Sequence, residues 1–294
     1  LPDGAQVTSV TDTKLSEWCN TFKIEVTLPD GKSQAFFEKV WMHYSRWIDQ
    51  EYKGQYGLDM MRATFQAELT LHEFIPEFSP RPIATGTYAS DKNLHFFLAE
   101  FVDMIEDDTP SPESYMTAVA ALHNRSFGKS PSGQFGFPIP TRFGDLEQSN
   151  LWSGSWEAFW TNQMREILER EERLGGPHPK ELVRLRQIYF NKVLPRYLRP
   201  LESDGRSVRP CLVHADLWPG NCRYKRDTDV VCIGPWCVQQ PSVPLGAPYL
   251  REYWEKMPVS APKEDAFNRN KMYMIRNQIL LATLYPTQPD LRQV

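Results

Sequence analysis

The strongest constraint on how this chain can fold is a change in the spacing of its apolar residues near residue 104. Before that point, apolar residues form short alternating or continuous runs, which are typical of β-strands. After it, they recur at every third or fourth position over long runs, which is typical of amphipathic helices. We therefore predict an α+β fold, with a small antiparallel-sheet lobe containing one helix over residues 1–104 and a larger helical lobe over residues 105–294.

The first lobe is predicted to contain a β-hairpin followed by a helix. Residues 22–28 (FKIEVTL) and 34–40 (QAFFEKV) have strand patterns, and a Pro-Asp-Gly turn signal separates them. Apolar residues at helical spacing then predict a helix over 59–75, with Asp59 as its N-cap and Pro76 just beyond its end. Further extended segments are predicted at 82–84 and 94–101.

The second lobe is predicted to be built from helices. The first helix follows the connector at 107–112 and carries Tyr115, Ala118, Val119 and Leu122 on one apolar face. A loop rich in Gly, Pro and Phe, over 127–150, separates it from the remaining helices. Those helices are predicted over 155–174, 180–198 and 263–285.

Composition excludes several classes of protein. The 294 residues include 33 Lys and Arg against 37 Asp and Glu, so the chain lacks the excess positive charge that favours a nucleic-acid partner. No run approaches the ~18 apolar residues of a membrane span, so we expect a soluble protein with no membrane contact. Five cysteines without a Cys-x-x-Cys pair predict reduced thiols, and the first residues lack a secretory signal, so we expect a cytoplasmic location.

One short stretch, residues 212–221 (LVHADLWPGN), points to specific chemistry. Its pattern His214-x-Asp216-x-x-x-x-Asn221 has the spacing of a kinase catalytic loop. In such a loop the Asp accepts the proton of the acceptor hydroxyl, and the Asn five residues later holds a metal ion. The alternative is an ordinary turn in which Asp216 caps a helix and Asn221 fills a loop.

The order of two earlier residues strengthens the kinase interpretation. A kinase needs a Lys late in its first sheet to hold the phosphates and a Glu on the next helix to pair with that Lys. Lys39 closes the second strand of the predicted hairpin, and Glu68 lies in the predicted helix that follows. The alternatives are a solvated lysine at a strand end and an ordinary solvated helix face. A non-catalytic interaction domain would require the ordered motifs to be coincidental.

The sequence HADLWPGN over 214–221 resembles the HGDLWxGN signature of the fructosamine/ketosamine-3-kinase family, which is related to the aminoglycoside phosphotransferases. Supporting stretches include AFFEKV, HFFLAEFVDM and SWEAFW, and the resemblance extends over nearly the whole chain. It implies a bilobal, protein-kinase-like fold. It also implies ATP-dependent phosphorylation of the 3-hydroxyl of ketosamines, on glycated proteins or as small molecules, in a reaction that repairs glycation.

The resemblance also implies a role for individual residues on the nucleotide side of the site. Lys39 is expected to hold the ATP phosphates, and Glu68 is expected to orient Lys39. Glu100, Phe101 and Val102 are expected to form the hinge strand whose backbone meets adenine.

On the catalytic side, the resemblance implies that Asp216 is the base and that Asn221 is a ligand of Mg²⁺. The expected cofactors are therefore ATP and Mg²⁺.

Three departures from the family pattern bear on activity. Ala215 replaces a Gly, which is a mild change unless that residue needs a positive φ. The expected phosphate-covering turn, 13–18, contains no glycine. Gly234 stands where the family has a metal-binding Asp, and no obvious carboxylate replaces it. The alternative function is therefore a catalytically impaired pseudokinase, or a truncated copy, that keeps the fold.

Overall fold

A computed structural model describes residues 1–13, 19–41, 53–105, 108–144, 146–217, 219–226, 228–233, 246–288 and 291. The chain divides into two compact units. The first contains residues 1–126 and 212–257, and the second contains residues 127–211 and 258–294. The lobe boundary predicted near residue 104 falls inside the first unit and stays a prediction.

The first unit is built on a five-stranded antiparallel sheet with strand order β1-β2-β3-β5-β4. The predicted hairpin is confirmed as β2 and β3, and the Gly31 N–H donates to the Leu28 carbonyl oxygen to close its turn. Gly31 has a φ of 83°, which favours glycine at this position. The strands are β1 Gln6–Asp12, β2 Asn20–Thr27, β3 Ser33–Trp41, β4 Pro82–Thr87 and β5 His95–Glu100.

Helix α1, Lys53–Phe74, packs on one face of this sheet through buried apolar residues such as Met61 against Phe37 and Phe97. It ends before Pro76 as predicted. The predicted N-cap is wrong, because the helix begins six residues before Asp59. Asp59 lies inside the helix instead, where its carboxylate accepts a hydrogen bond from the Gln55 side chain at 2.7 Å.

Helix α2, Pro112–Ser126, confirms the apolar face predicted for it, since Tyr115, Ala118, Val119 and Leu122 are all buried. These side chains form a core with Leu71 of α1 and with the strands that follow residue 221. That core places α2 directly beneath the segment that carries the predicted catalytic motif. Helix α6, Ala247–Lys256, was not predicted and packs on α2 through Tyr249 and Tyr253.

The second unit contains the remaining helices and a short hairpin that the sequence did not predict. Helix α3, Trp156–Gly175, begins at the N-cap Ser155, whose side-chain oxygen accepts a hydrogen bond from the Ala158 N–H. The hairpin consists of β6 Thr141–Phe143 and β7 Leu146–Gln148, and the last helix is α7 Ala266–Leu284.

The helix predicted over 180–198 is interrupted. It forms α4 Lys180–Ile188, a π-helical turn at Tyr189–Val193, and α5 Leu194–Leu198. Pro195 explains the interruption, because proline has no N–H and its ring clashes with the carbonyl four residues earlier.

No helix in the described ranges is both long and apolar enough to cross a lipid bilayer. The cysteines at 211, 222 and 232 are thiols, as predicted.

Candidate active site

Lys39 lies on the central strand β3 and is only 6% exposed, so the alternative of a solvated strand-end lysine is excluded. Its neighbours in the sheet are Thr21 on β2 and Phe97 on β5, both of which are buried. A lysine with these neighbours points its ammonium group away from bulk water. Such a position suits a group that meets an anionic ligand.

Glu68 lies on α1 and is 8% exposed, so it does not belong to a solvated helix face. Burial raises the pKa of its carboxyl group to about 8, and the positive charge of Lys39 lowers that pKa in part. The two side chains therefore interact electrostatically inside the protein. Within the described part of the chain, the Glu68 Oε2 atom has no hydrogen-bond partner.

The predicted catalytic loop is closed by a hydrogen-bonded link between Asp216 and Asn221. The Asn221 Nδ2 group donates to the Asp216 backbone oxygen at 2.8 Å and to the Asp216 Oδ2 atom at 2.9 Å. Two further hydrogen bonds fix the loop, from the Leu212 N–H to Ser126 Oγ and from the Asp216 N–H to His214 Nδ1. The Asn221 side chain is 1% exposed, so it is a buried part of this loop.

The Oδ1 atom of the Asn221 side chain is a candidate ligand for a metal ion. This atom is buried and has no hydrogen-bond partner among the described residues. A buried carbonyl-type oxygen without a donor suits a hard cation such as Mg²⁺. Mg²⁺ typically takes one or two protein oxygens and completes its shell with phosphate and water. The residue at 234, where a second ligand is expected, is a glycine that lies outside the described residues.

Ala215 adopts a left-handed backbone conformation, with a φ of 67°. A side chain with a Cβ atom is strained there by roughly 1–2 kcal/mol, whereas glycine is not. Position 215 therefore has the positive φ at which replacing glycine by alanine is costly. The signature glycine that Ala215 replaces has a conformational purpose, which is to turn the chain so that Asp216 joins the loop.

The predicted hinge residues follow the end of β5. Glu100 pairs with Phe36 of β3, and the Phe101 N–H donates to the Ala35 carbonyl at 3.3 Å. Val102 is buried at 8% exposure. The chain therefore leaves the sheet beside Ala35, which precedes Lys39 by four residues on β3.

The segment after the predicted hinge is hydrogen-bonded to the hairpin that follows the predicted catalytic loop. That hairpin consists of β8 Cys222–Tyr224 and β9 Val231–Ile233. The Ile105 N–H donates to the Tyr224 carbonyl at 3.0 Å, and Arg226 forms an ion pair with Asp103 at 2.9 Å. Hinge and catalytic loop are therefore joined within the first unit.

The same hairpin approaches α1. The Ile233 N–H donates to the Phe78 carbonyl at 2.6 Å, just beyond the end of that helix. Burial raises the pKa of the Cys232 thiol to about 12, and the charge of Glu68 contributes to the increase. Electrostatic interactions therefore link Lys39 to Glu68 and Glu68 to Cys232, whose strand pairs with the strand that follows Asn221. The approach of Lys39 to Asp216 across a crevice stays a prediction.

Tyr115 is a supporting residue that sequence analysis assigned only to a helix face. It is fully buried beneath the catalytic loop, and burial together with the neighbouring Cys222 raises the pKa of its hydroxyl. The charge of Asp216 also contributes to that increase. Nothing in the helical spacing distinguishes a tyrosine with this neighbourhood from a phenylalanine.

Comparison with solved structures shows which fold the chain adopts. A putative fructosamine-3-kinase from Thermobifida fusca aligns with a TM-score of 0.66 at 19% identity, covering 96% of this chain and 90% of that one. A putative fructosamine-3-kinase from Haemophilus somnus also has a TM-score of 0.66, at 15% identity, with coverage of 96% and 86%. A thermostable mutant of aminoglycoside phosphotransferase APH(4)-Ia aligns with a TM-score of 0.55 at 12% identity, covering 98% of this chain and 90% of that one. The fold is thus the kinase-like fold of these phosphotransferases.

The sequence profile described as fructosamine kinase matches residues 50–240, which is more than half of the chain. The chain therefore belongs to the fructosamine kinase family. Its relatives include a probable ketoamine kinase of Lactiplantibacillus plantarum, 28% identical over 160 residues, which are 53% of this chain and 50% of that protein. A chloroplastic protein-ribulosamine 3-kinase of Arabidopsis thaliana is 27% identical over 178 residues, with coverage of 53% and 47%. The chain spans about half the length of these relatives.

Proposed function

We propose that this chain is an ATP-dependent ketosamine kinase that phosphorylates the 3-hydroxyl of ketosamines, either on glycated proteins or as small molecules. The observation that carries the proposal is the Asp216–Asn221 link, in which one amide fixes the candidate base and keeps a buried oxygen for a metal. Family membership supports the ketosamine substrate class. The same proposal places the protein in the cytoplasm, acting on sugar adducts of protein amines.

Asp216 is assigned as the base. The acceptor oxygen attacks the γ-phosphorus of ATP, the bond from that phosphorus to the bridging β,γ-oxygen breaks, and ADP leaves. The hydroxyl proton passes to the Asp216 carboxylate, which the Asn221 amide holds in one orientation. Orientation matters because a positioned base works only within hydrogen-bond reach of the proton that it accepts.

Lys39 is assigned to the phosphates, and Glu68 is assigned to the positioning of Lys39. A buried ammonium group attracts phosphate oxygens more strongly than a solvated one, because less water screens it. Glu100, Phe101 and Val102 are assigned to the base of the nucleotide through their backbone. The Phe101 N–H already donates to Ala35, so we assign the base to the Glu100 carbonyl and the Val102 amide.

Asn221 is assigned as a ligand of Mg²⁺ through its Oδ1 atom. When bound, Mg²⁺ neutralises charge on the β- and γ-phosphates. Asn221 then serves two neighbours at once, because its Nδ2 group still donates to Asp216.

A second candidate function is a pseudokinase that binds nucleotide without transferring phosphate. The glycine at position 234 favours it, because the loss of one preorganised charge-stabilising group typically lowers a rate by about 10²–10³. Thermal stabilisation by ATP separates the two functions, since a kinase with a working metal site gains stability from Mg²⁺ and ATP together.

The test of catalysis incubates the purified chain with Mg²⁺, γ-labelled ATP and a ribulosamine-bearing protein. We expect label in the acceptor for the unmodified chain and none above background for Asp216→Asn. Asp204→Asn is the matched control, because Asp204 is an exposed aspartate in the second unit. Equal incorporation by the unmodified chain and Asp216→Asn would contradict the assignment.

Gly234→Asp decides between the two functions. If the glycine has abolished turnover, this variant should regain incorporation by at least about 10²-fold. An active unmodified chain that gains nothing from the substitution would exclude the pseudokinase.

A further inference from the structure

The face of the sheet that carries Lys39 is organised in cross-strand rows. Residues two positions apart along a strand point to the same face and lie roughly 6.4–6.8 Å apart. The row of Lys39 is followed by a second row and then by a third row at the hinge. The rows are Thr21, Lys39 and Phe97; then Lys23, Phe37 and Ala99; then Glu25 and Ala35, beside Phe101.

Lys23 is the charged member of the second row. The other two members, Phe37 and Ala99, are apolar and at most 2% exposed. The Lys23 side chain is 32% exposed, so part of it is accessible to solvent. A lysine thus stands midway between the residue assigned to the phosphates and the residues assigned to the base.

The Lys23 ammonium group is held towards the hinge. It lies 4.9 Å from the centroid of the Phe101 ring, and 2.7 Å from the Glu25 Oε1 atom. Glu25 is itself fixed, because Ser9 Oγ donates to its Oε2 atom at 2.6 Å. The hydrogen bond from Lys23 also lowers the pKa of Glu25, which keeps that carboxylate ionised.

We infer that Lys23 covers the aromatic base of the bound nucleotide through a cation–π contact. This inference rests on the proposed function. A nucleotide with its phosphates at the Lys39 row and its base at the hinge must cross the second row, where Lys23 stands. The ammonium group already adopts a cation–π contact with Phe101, and a purine ring at the hinge offers a second π face to the same cation.

The arrangement favours the base over the phosphates as the partner of Lys23. Its ammonium group leans towards the third row, away from the row of Lys39, and Glu25 on that third row anchors it there. If Lys23 bound the phosphates instead, its ammonium group would lean towards the row of Lys39. The two assignments differ in whether adenosine, which has no phosphate, senses Lys23.

The experiment measures the affinities of adenosine and of ATP by calorimetric titration at constant ionic strength. For Lys23→Met we expect both affinities to fall by the same factor, about 3- to 30-fold. For Lys39→Met we expect the affinity for ATP to fall while that for adenosine stays within about twofold. Lys32→Met is the matched control, since Lys32 is an exposed lysine in the turn of the same hairpin, and it should change neither affinity.

The Lys23→Met variant separates a failure of this inference from a failure of the proposed function. Unchanged adenosine affinity in Lys23→Met, with or without weaker ATP binding, would overturn the inference and leave the proposed function standing. If the unmodified chain binds neither adenosine nor ATP, both fall together. Lys23→Arg keeps the cation, so it should bind adenosine within about threefold of the unmodified chain. A large loss in Lys23→Arg, with an unchanged melting temperature, would also count against the cation–π contact.

Discussion

The side-chain amide of Asn221 donates to both the backbone oxygen and the carboxylate of Asp216, at 2.8 and 2.9 Å. The two residues are five positions apart, and the loop between them turns back so that one amide reaches both acceptors. The spacing in the motif is therefore the length needed to close this link. The link also aims the buried Asn221 Oδ1 atom away from Asp216.

Asn221→Ala should remove the link together with the candidate metal oxygen. We expect phosphate transfer to fall by at least about 10²–10³, because the Asp216 carboxylate loses its donor. Label incorporation from ATP measures the change, with circular dichroism to confirm folding. Asn162→Ala, a substitution of the same type on helix α3, serves as the control and should leave transfer unchanged. Full activity in Asn221→Ala would refute the role.

Ala215→Gly should stabilise the protein. The strain of a Cβ atom at a φ of 67° exceeds the entropy that glycine adds to the unfolded chain, so the expected gain is about 0.5–1 kcal/mol. Urea denaturation measures the free energy of unfolding. Ala158→Gly is the matched control, because Ala158 lies on helix α3, where glycine costs up to about 1 kcal/mol. A loss of stability in Ala215→Gly would contradict the assigned strain.

Gly57→Ala should destabilise the first unit. A Cβ atom at Gly57 would lie 2.3 Å from Trp41 Cδ1 and 3.1 Å from His95 Cδ2, and both rings are buried. Overpacking of this kind costs about 1–3 kcal/mol, which a thermal melt detects. The control is Gly154→Ala, since a Cβ atom there meets nothing closer than 3.9 Å. Equal melting temperatures for the two variants would refute the contact.

Glu68 should make stability depend on pH. Its folded pKa of about 8 lies above the ordinary value of 4.5, so its contribution is fully present below 4.5 and is lost as the pH rises through 8. Glu68→Gln cannot lose a proton. Relative to the unmodified chain, this variant should therefore be more stable at pH 9 than at pH 6. Free energies of unfolding at the two pH values test this, and an identical difference at both would contradict the raised pKa.

Much of the sheet could be predicted because its signals are local. Alternation in β2 and β3 and the turn between them fix a hairpin, and Pro76 ends α1 without help from distant residues. The start of α1 depends instead on packing. Gly57 sits against Trp41 and His95, so tertiary contacts extend the helix past Asp59. No propensity argument identifies that contact.

The candidate site likewise contains features that local sequence predicts and features that depend on packing. Order and spacing predict Lys39, Glu68, Asp216 and Asn221, but the burial of the first two follows only from the packing of α1 on the sheet. The φ of Ala215 cannot be inferred from its neighbours in sequence, because the requirement comes from the loop that it closes. Lys23 gives no sequence signal at all, since only the register of β2 against β3 places it beside Phe37.

The backbone ladder between Ile105 and Tyr224 has a mechanical consequence. Tyr224 is three residues from Asn221, and Ile105 is three residues from Val102, so this pairing links the candidate metal ligand to the predicted hinge. A slip of a single residue in that ladder would displace the catalytic loop relative to the hinge by about 3.4 Å. A misalignment of that size exceeds the tolerance of an in-line displacement, so the proposed phosphate transfer requires this main-chain pairing to keep its register.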